Sequence, residues 1–243
     1  MMNLEEARKT IRGAKHIAVL SGAGMSTESG LPDFRSQEGI YNTLTTALTF
    51  RIELFRIYPQ RFYHVIGPFY QQCVSAEPNA GHRALAELER RGKTVEIATQ
   101  NVDCLHQKAG SSKVYEVHGT IYTVSCRKCH GHFKASQFAT VFAQGKVPHC
   151  PTCGKVLKPD LVFFGEALPE EPMRLAQLAF LNADLVMIIG TSLKVGPANQ
   201  LPCCRVDGTP LFIINQDPTY LDDVADFVSH EKIGEILPKL IKA

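Results

Sequence analysis

The chain of 243 residues is 44% hydrophobic, has no Trp and carries a formal net charge of +2. That is enough apolar material for one large domain, or for one domain with a smaller insert. With near-neutral charge, no strong polyanion partner follows from charge alone, and the basic pairs Arg90-Arg91 and Arg127-Lys128 read as solvated surface.

Residues 4–12 carry the pattern of an opening helix. Their acidic start, Met-Met-Asn-Leu-Glu-Glu, lacks the basic head and apolar run of a secretory leader, so a cytoplasmic location is expected. His16-Ile-Ala-Val-Leu20 is a short apolar run leading into Gly22-Ala23-Gly24, as a buried parallel strand feeding a phosphate-binding turn would. Residues 40–76 are dense in aromatics and lack strand signals, which suggests an insert. A helix is predicted over 80–91, with Ala84, Leu85 and Leu88 on one face and Gly92 as its stop. A strand follows from Thr94 to Thr99, then a short helix through Leu105 and a strand from Lys113 to Val117. Between Thr120 and Lys158 the alternation lapses into a cysteine module. Strands resume at Leu161–Phe164, Asp184–Ile189 and Pro210–Ile214, with helices around 171–182 and from about 231. Six apolar strands alternating with helices indicate an α/β fold, a Rossmann-like doubly wound parallel sheet. The run at Leu185 to Ile189 is the longest apolar stretch and is far short of a membrane span.

Cys126-Arg-Lys-Cys129 and Cys150-Pro-Thr-Cys153 are two knuckles separated by twenty residues, the spacing of a tetrahedral all-thiolate zinc site. Catalytic zinc keeps an open position, whereas four thiolates saturate the ion, so one structural zinc per chain is expected. Cys73, Cys104, Cys203 and Cys204 lack ligand spacing and read as small buried hydrophobes or bystanders, with Cys104 set apart because it falls inside the Asn-Val-Asp segment near the expected cleft; in a reducing compartment disulfides are not expected. The Gly22-Ala23-Gly24 turn lets backbone approach a pyrophosphate, but Thr27 breaks the G-x-G-x-x-G pattern, and alone the turn is equally an ordinary tight turn. Gln100-Asn101-Val102-Asp103 follows a strand end, where ligands bind such sheets. Its amide and carboxylate groups could equally cap a helix. His118 ends a strand beside Gly119, while His82 and His106 lie in helical settings and read as structural.

Taken in order, Gly22-Ala-Gly-Met-Ser-Thr-Glu-Ser-Gly-Leu-Pro-Asp-Phe-Arg35, Gln100-Asn-Val-Asp103, Glu116-Val-His-Gly119 and the cysteine pairs resemble one family, the sirtuins, NAD-dependent protein-lysine deacylases. The likeness spans about residues 13 to 228; Leu31, Val102 and Cys104 depart from the common pattern, the last where Gly is frequent. It implies a single catalytic domain: a Rossmann-like part over about 1–39, 77–119 and 159–243, a helical insert over 40–76 and a zinc module over 120–158. It places NAD against Gly22, Ala23, Gly24, Asp33, Phe34, Arg35, Gln100, Asn101, Val102 and Asp103. The adenosine half would meet Gly190, Thr191, Ser192, Asn215, Gln216, Asp217 and Ala225. It makes His118 the general base, Asn101 the residue that orders ribose hydroxyls and a water, and Phe34 a cover over the nicotinamide site. Val162 and Phe163 would line an acyl-lysine tunnel. Gly165 and Glu166 would pair with substrate backbone, and Leu193, Lys194 and Val195 would flank the peptide from the other side by strand addition.

The implied partners are acyl-lysine proteins or peptides, with no membrane and no direct nucleic-acid binding. The implied reaction is NAD-dependent deacylation to nicotinamide, free lysine and O-acyl-ADP-ribose. Two rivals are mono-ADP-ribosyl transfer on the same fold and a zinc-ribbon module that binds nucleic acid, the latter wanting a basic stripe that the charge does not provide. Family members that prefer succinyl or malonyl lysine carry Tyr-x-x-Arg on the helix before the Pro78-Asn-Ala-Gly-His82 segment. The matching positions here are Ile66 and Phe69, so neutral acyl groups are expected.

Overall fold

The computed structural model describes residues 1–33 and 48–242. In chain order the elements are α1 (Leu4–Gly13), β1 (His16–Ser21), α2 (Ile52–Ile57), α3 (Pro59–Ser75), α4 (Ala80–Arg90), β2 (Thr94–Thr99), α5 (Leu105–Ala109), β3 (Lys113–Glu116) and β4 (Gly119–Cys126). They continue with β5 (His132–Lys134), α6 (Ala139–Ala143), β6 (Leu157–Leu161), α7 (Glu170–Leu181), β7 (Leu185–Ile189), β8 (Leu211–Ile214), β9 (Phe227–Ser229) and α8 (Ile233–Leu240). These form two compact units: Met1–Ser29 with Glu77–Val117 and Pro169–Ala243, and Gly30–Ala76 with His118–Leu168.

The first unit is built on a six-stranded parallel sheet in the order β3-β2-β1-β7-β8-β9. Its central strands are near-continuous apolar runs because helices cover both faces; every residue of β7 and β8 is buried. Two helices start on side-chain caps that their sequences supply. Asn3 accepts from the N–H groups of Glu5 and Glu6 while Glu6 reaches back to Asn3, and Asn79 and His82 repeat the box at α4. The amphipathic faces of α1, α4 and α8 then bury Ile11, Leu85 and Leu237 in one core with Val19, Ile97 and Met187. Each such side chain contributes roughly 1.5–3 kcal/mol on burial. The chain lays β2 and β3 to one side of β1 and β7, β8 and β9 to the other. The topological switch point, where open α/β sheets hold ligands, therefore lies at the carboxyl ends of β1 and β7.

The second unit holds α2, α3, α6 and the three-stranded antiparallel sheet β5-β4-β6. Here the structure corrects two expectations. The predicted strand at Leu161–Phe164 is not part of the parallel sheet. The strand is Leu157–Leu161, antiparallel to β4, and the chain then leaves it. The sixth parallel strand is instead Phe227–Ser229, only three residues long. A four-residue apolar run states that something is buried, but not against which sheet. In this case Phe163 packs into an aromatic cluster, with ring centroids 5.1 Å from Phe55 and 4.7 Å from Phe62. Among the described residues, no helix is long and apolar enough to cross a membrane.

Candidate active site

At the switch point the loops after β1 and β7 touch. Gly22 N–H donates to Ile189 at 3.0 Å and Gly24 N–H to the carbonyl of Gly190 at 2.9 Å. A Cβ on Gly22 would lie 2.6 Å from Thr191 Cβ and 2.7 Å from the Gly190 carbonyl oxygen, so the glycine is required by protein packing as well as by any ligand. After Gly22 the chain makes two short 3₁₀ turns, Ala23–Met25 and Thr27–Ser29.

The Gln100–Asp103 segment is tied to the same place. Thr191 Oγ1 donates to Gln100 Oε1 at 2.8 Å. Asn101, 4% exposed, donates from its amide nitrogen to the Gly22 carbonyl and to Ser26 Oγ, both at 3.0 Å. Among the described residues no hydrogen bond takes the Asn101 amide oxygen, which leaves an acceptor for a ligand. Asp103 accepts from Ser26 Oγ at 2.7 Å and from the N–H of Leu105 at 2.9 Å. Burial pushes its carboxyl above the ordinary aspartate value, opposed by those two bonds. The capping alternative is thus realised by Asp103, and Asn101 does not cap. Val102 is buried beside them.

Beneath lies a polar support that sequence reasoning did not single out. His106 Nε2 meets Ser21 Oγ at 2.9 Å, Ser21 donates to Thr99 Oγ1 at 2.9 Å, and Thr99 accepts the N–H of Asn101 at 3.1 Å. Ser26 is the hub that joins Asn101 to Asp103. The only signal for these residues was polarity at strand ends, which loops share.

Further along the same sheet edge, Asn215 donates to the Asp217 carbonyl at 2.7 Å and accepts from His230 at its own carbonyl. Gln216 and Asp217 are exposed, Ser192 is half-buried and Ala225 is buried. Ala23 is half-buried. Asp33 is half-buried in the second unit, while Phe34 and Arg35 lie outside the described residues. Cys104, half-buried, has φ +57°, the left-handed region, which is a physical reason for glycine at this position.

In the second unit His118 is half-buried in the turn between β3 and β4, and its carbonyl accepts the N–H of Val162 at 2.8 Å. Gly119, at φ +72°, packs directly on the backbone of Asp160. Val162 is half-buried. Phe163 is 1% exposed and turned into the aromatic cluster, whereas Phe164 beside it is 40% exposed. The Glu166 carboxylate accepts the N–H of Phe163 at 2.9 Å, ion-pairs with Lys158 at 2.9 Å and contacts Arg127. Glu166 N–H donates to Phe163. Among the described residues, the carbonyl of Val162 and both backbone groups of Gly165 have no hydrogen-bond partner. In the first unit, 191–197 forms no strand. Leu193 is buried with φ +57°, its carbonyl accepting from Asn199 at 2.9 Å, and the Val195 carbonyl accepts the Asn199 N–H at 3.1 Å. Strand addition along Leu193–Val195 is thereby reduced to the remaining groups.

The four predicted zinc ligands come together. Cys126 and Cys153 Sγ are 3.4 Å apart, Cys129 and Cys150 Sγ 3.5 Å, and all four lie within 4.8 Å of one another. Zn–S bonds of about 2.3 Å set tetrahedral sulfur pairs about 3.8 Å apart, so the donor set fits zinc. Backbone N–H groups of Cys129 and Lys128 draw the Cys126 thiol down to about 6, toward the thiolate that a metal binds. Two nearby exposed histidines are bonded elsewhere: His132 meets Ser125 Oγ at 2.8 Å and His149 meets the Gly154 carbonyl at 3.0 Å. His82 and His106 are buried against one another with ring centroids 4.8 Å apart, in keeping with a structural role.

Known proteins match this arrangement along its length. An NAD-dependent protein deacetylase 1 of Geobacillus kaustophilus is 48% identical over 240 residues, covering 95% of this chain and 94% of that protein. A protein of the same name from Pyrobaculum aerophilum is 41% identical over 239 residues, covering 98% and 93%. A solved Sir2 structure with a peptide and NAD+ superposes with a TM-score of 0.89 at 33% identity, covering 99% of this chain and 98% of that one. The model of the Sir2 family matches residues 22–197, and the chain belongs to that family, the sirtuins.

Proposed function

We propose that this protein is an NAD-dependent protein-lysine deacylase that releases free lysine, nicotinamide and O-acyl-ADP-ribose. The observation that carries the reading is the convergence, at the carboxyl ends of β1, β2 and β7, of Gly22, Gly24, Gln100, Asn101, Asp103, Gly190 and Thr191 in one hydrogen-bonded set. NAD, when bound, supplies the glycosidic bond whose cleavage drives acyl removal. The residues do the rest. The Asn101 amide is held by Gly22 and Ser26 with its oxygen unclaimed, so it can orient a ribose hydroxyl. Asp103, positioned by Ser26 and the N–H of Leu105, presents a carboxyl that can accept from an amide N–H. Ser192, Asn215, Gln216, Asp217 and Ala225 extend the sheet edge toward an adenosine, and Ala23 and Asp33, with Phe34 and Arg35, complete the cofactor set. His118 takes the proton from a ribose hydroxyl as general base.

Acyl-lysine peptides are the substrates we assign. The carbonyl of Val162 and the backbone of Gly165 pair with the peptide, and Glu166 serves through its carbonyl because its N–H and carboxylate are engaged. Leu193 and Val195 contribute packing more than pairing. The exposed Phe164 is a better candidate than the buried Phe163 for touching the acyl chain. The chain acts as one catalytic domain, its helical insert (about 40–76) and zinc module (about 120–158) serving the Rossmann-like part. Mass spectrometry of acetyl-lysine peptides with and without NAD tests the proposal. NAD-dependent loss of the acyl mass with O-acetyl-ADP-ribose appearing is expected; ADP-ribose attached to protein with the peptide unchanged would overturn it.

A further inference from the structure

The second unit contains a cavity of about 500 Å³ that the cofactor and zinc do not account for. Its walls include Arg56 of α2, Arg127 and Asp160 of the zinc-module strands and their turn, Lys158, and Glu166, with Val162 and Gly165 along one side. Three cations face two carboxylates. Both carboxylates are already engaged. Asp160 accepts from Ser125 Oγ at 2.5 Å and from Thr123 Oγ1 at 2.6 Å, and Glu166 takes Lys158, Arg127 and the N–H of Phe163. Lys158 is consumed as well. It is 10% exposed, donates to the carbonyls of Pro159 and Leu161, and sits 4.2 Å over the Phe163 ring. Arg56 differs. It is exposed, and among the described residues its guanidinium has no hydrogen bond or ion pair. Arg127, with its side chain 49% exposed, retains N–H groups beyond its contact with Glu166.

A pocket whose carboxylates are already engaged and whose guanidinium donors are open favours a carboxylate, which matches the planar fork. The pocket adjoins Gly165, whose backbone is open to an extended peptide. Alternate side chains of such a peptide fall on one face, so a residue flanking the acyl-lysine can reach it. We infer that this pocket binds an acidic side chain next to the acyl-lysine, and so biases the enzyme toward lysines in acidic sequence. The inference rests on the deacylase reading for the placement of the peptide.

The test uses zinc-loaded protein and fluorescent acetyl-lysine peptides in which Glu or Gln occupies each flanking position in turn. Binding is read by anisotropy at low and physiological salt, and turnover is read separately. At one position the wild type binds the Glu peptide about three- to fivefold more tightly, as a half-exposed ion pair allows, with the gap narrowing as salt rises. Arg56→Ala removes the preference and Arg56→Glu reverses it, while the all-neutral peptide binds all three proteins alike. Equal binding of Glu and Gln peptides by wild type, or a preference surviving in Arg56→Ala, overturns the inference. The same carboxylate could instead come from the acyl group. An Arg56-dependent gain for succinyl-lysine in a neutral peptide would reassign the pocket to the acyl chain and overturn the flanking-residue proposal. Glu-selective binding without NAD-dependent turnover would overturn the deacylase reading and leave the pocket's selectivity standing.

Discussion

Gly119→Ala separates backbone strain from loss of the catalytic geometry. Two penalties add at this position. Its φ of +72° costs a non-glycine residue about 1–2 kcal/mol. The new Cβ would also overlap the Asp160 carbonyl oxygen and lie 3.0 Å from its carbon and 3.2 Å from Leu161 Cα, all backbone atoms of β6. Forcing β4 from β6 is an overpacking cost of about 1–3 kcal/mol. The sum, about 2–5 kcal/mol, lowers Tm by about 5–20 °C for a chain of this size. Gly92→Ala is the control, since Gly92 has φ +85° but nothing within 4 Å of a Cβ, so only the strain of about 1–2 kcal/mol applies. Activity should separate the pair further. His118 adjoins Gly119, and its carbonyl is bonded to Val162, so displacing β4 from β6 moves the base. A misplacement near 1 Å costs about 10²-fold. The assay is a thermal melt of each zinc-loaded variant beside kcat/KM on one acetyl-lysine peptide. If Gly119→Ala melts with Gly92→Ala and keeps wild-type kcat/KM, the packing argument is wrong.

His118→Ala should leave the melt near wild type and reduce deacylation by roughly 10²–10⁴-fold; retention of a tenth of wild-type turnover would remove His118 from the base role. Metal analysis should find one zinc per chain, and Cys126→Ser should lower Tm or solubility without changing acyl preference; a stable, zinc-free and fully active variant would refute a structural role. For acyl preference, the positions that would carry Tyr and Arg hold Ile66 and Phe69, 3% and 7% exposed, while Arg61 lies over Tyr58 at 4.8 Å at the start of α3. Acetyl should therefore exceed succinyl in kcat/KM, and the reverse order would show a cation reaching the acyl group. Burial lowers His82 from 6.5 to about 4 and pushes His106 down as well. The unfolded chain then takes up protons that the folded chain refuses, so this stability is complete above pH 6.5 and is lost as pH falls toward 4. The loss from His82 alone is about 3 kcal/mol, at 1.36 kcal/mol per unit. A Tm flat between pH 6.5 and 4.5 would contradict it.

Local signals were legible wherever the chemistry is local. The capping residues Asn3 and Asn79 start α1 and α4, the apolar runs of β1, β7 and β8 are buried on both faces, and two Cys-x-x-Cys knuckles announce a tetrahedral ion. Even the departure at Cys104 was visible, although its reason, a left-handed backbone, was not. What required the tertiary structure was pairing across sequence distance. Leu161–Phe164 reads as a core strand because it is apolar, yet only β4 and the Phe55–Phe62 cluster determine that β6 ends at Leu161 and Phe163 turns inward. Phe227–Ser229 is too short for a periodic signal and becomes a strand because β8 supplies its partner. The glycines of the first loop show the same limit. Sequence alone leaves Gly22 and Gly24 as either room for a phosphate or an ordinary tight turn, whereas the fold packs Thr191 and Gly190, almost 170 residues away, directly against them. Hydrogen bonds and close contacts join atoms that are neighbours only after folding, so residue order determined the element types and tertiary contact decided which polar groups remain open for a ligand.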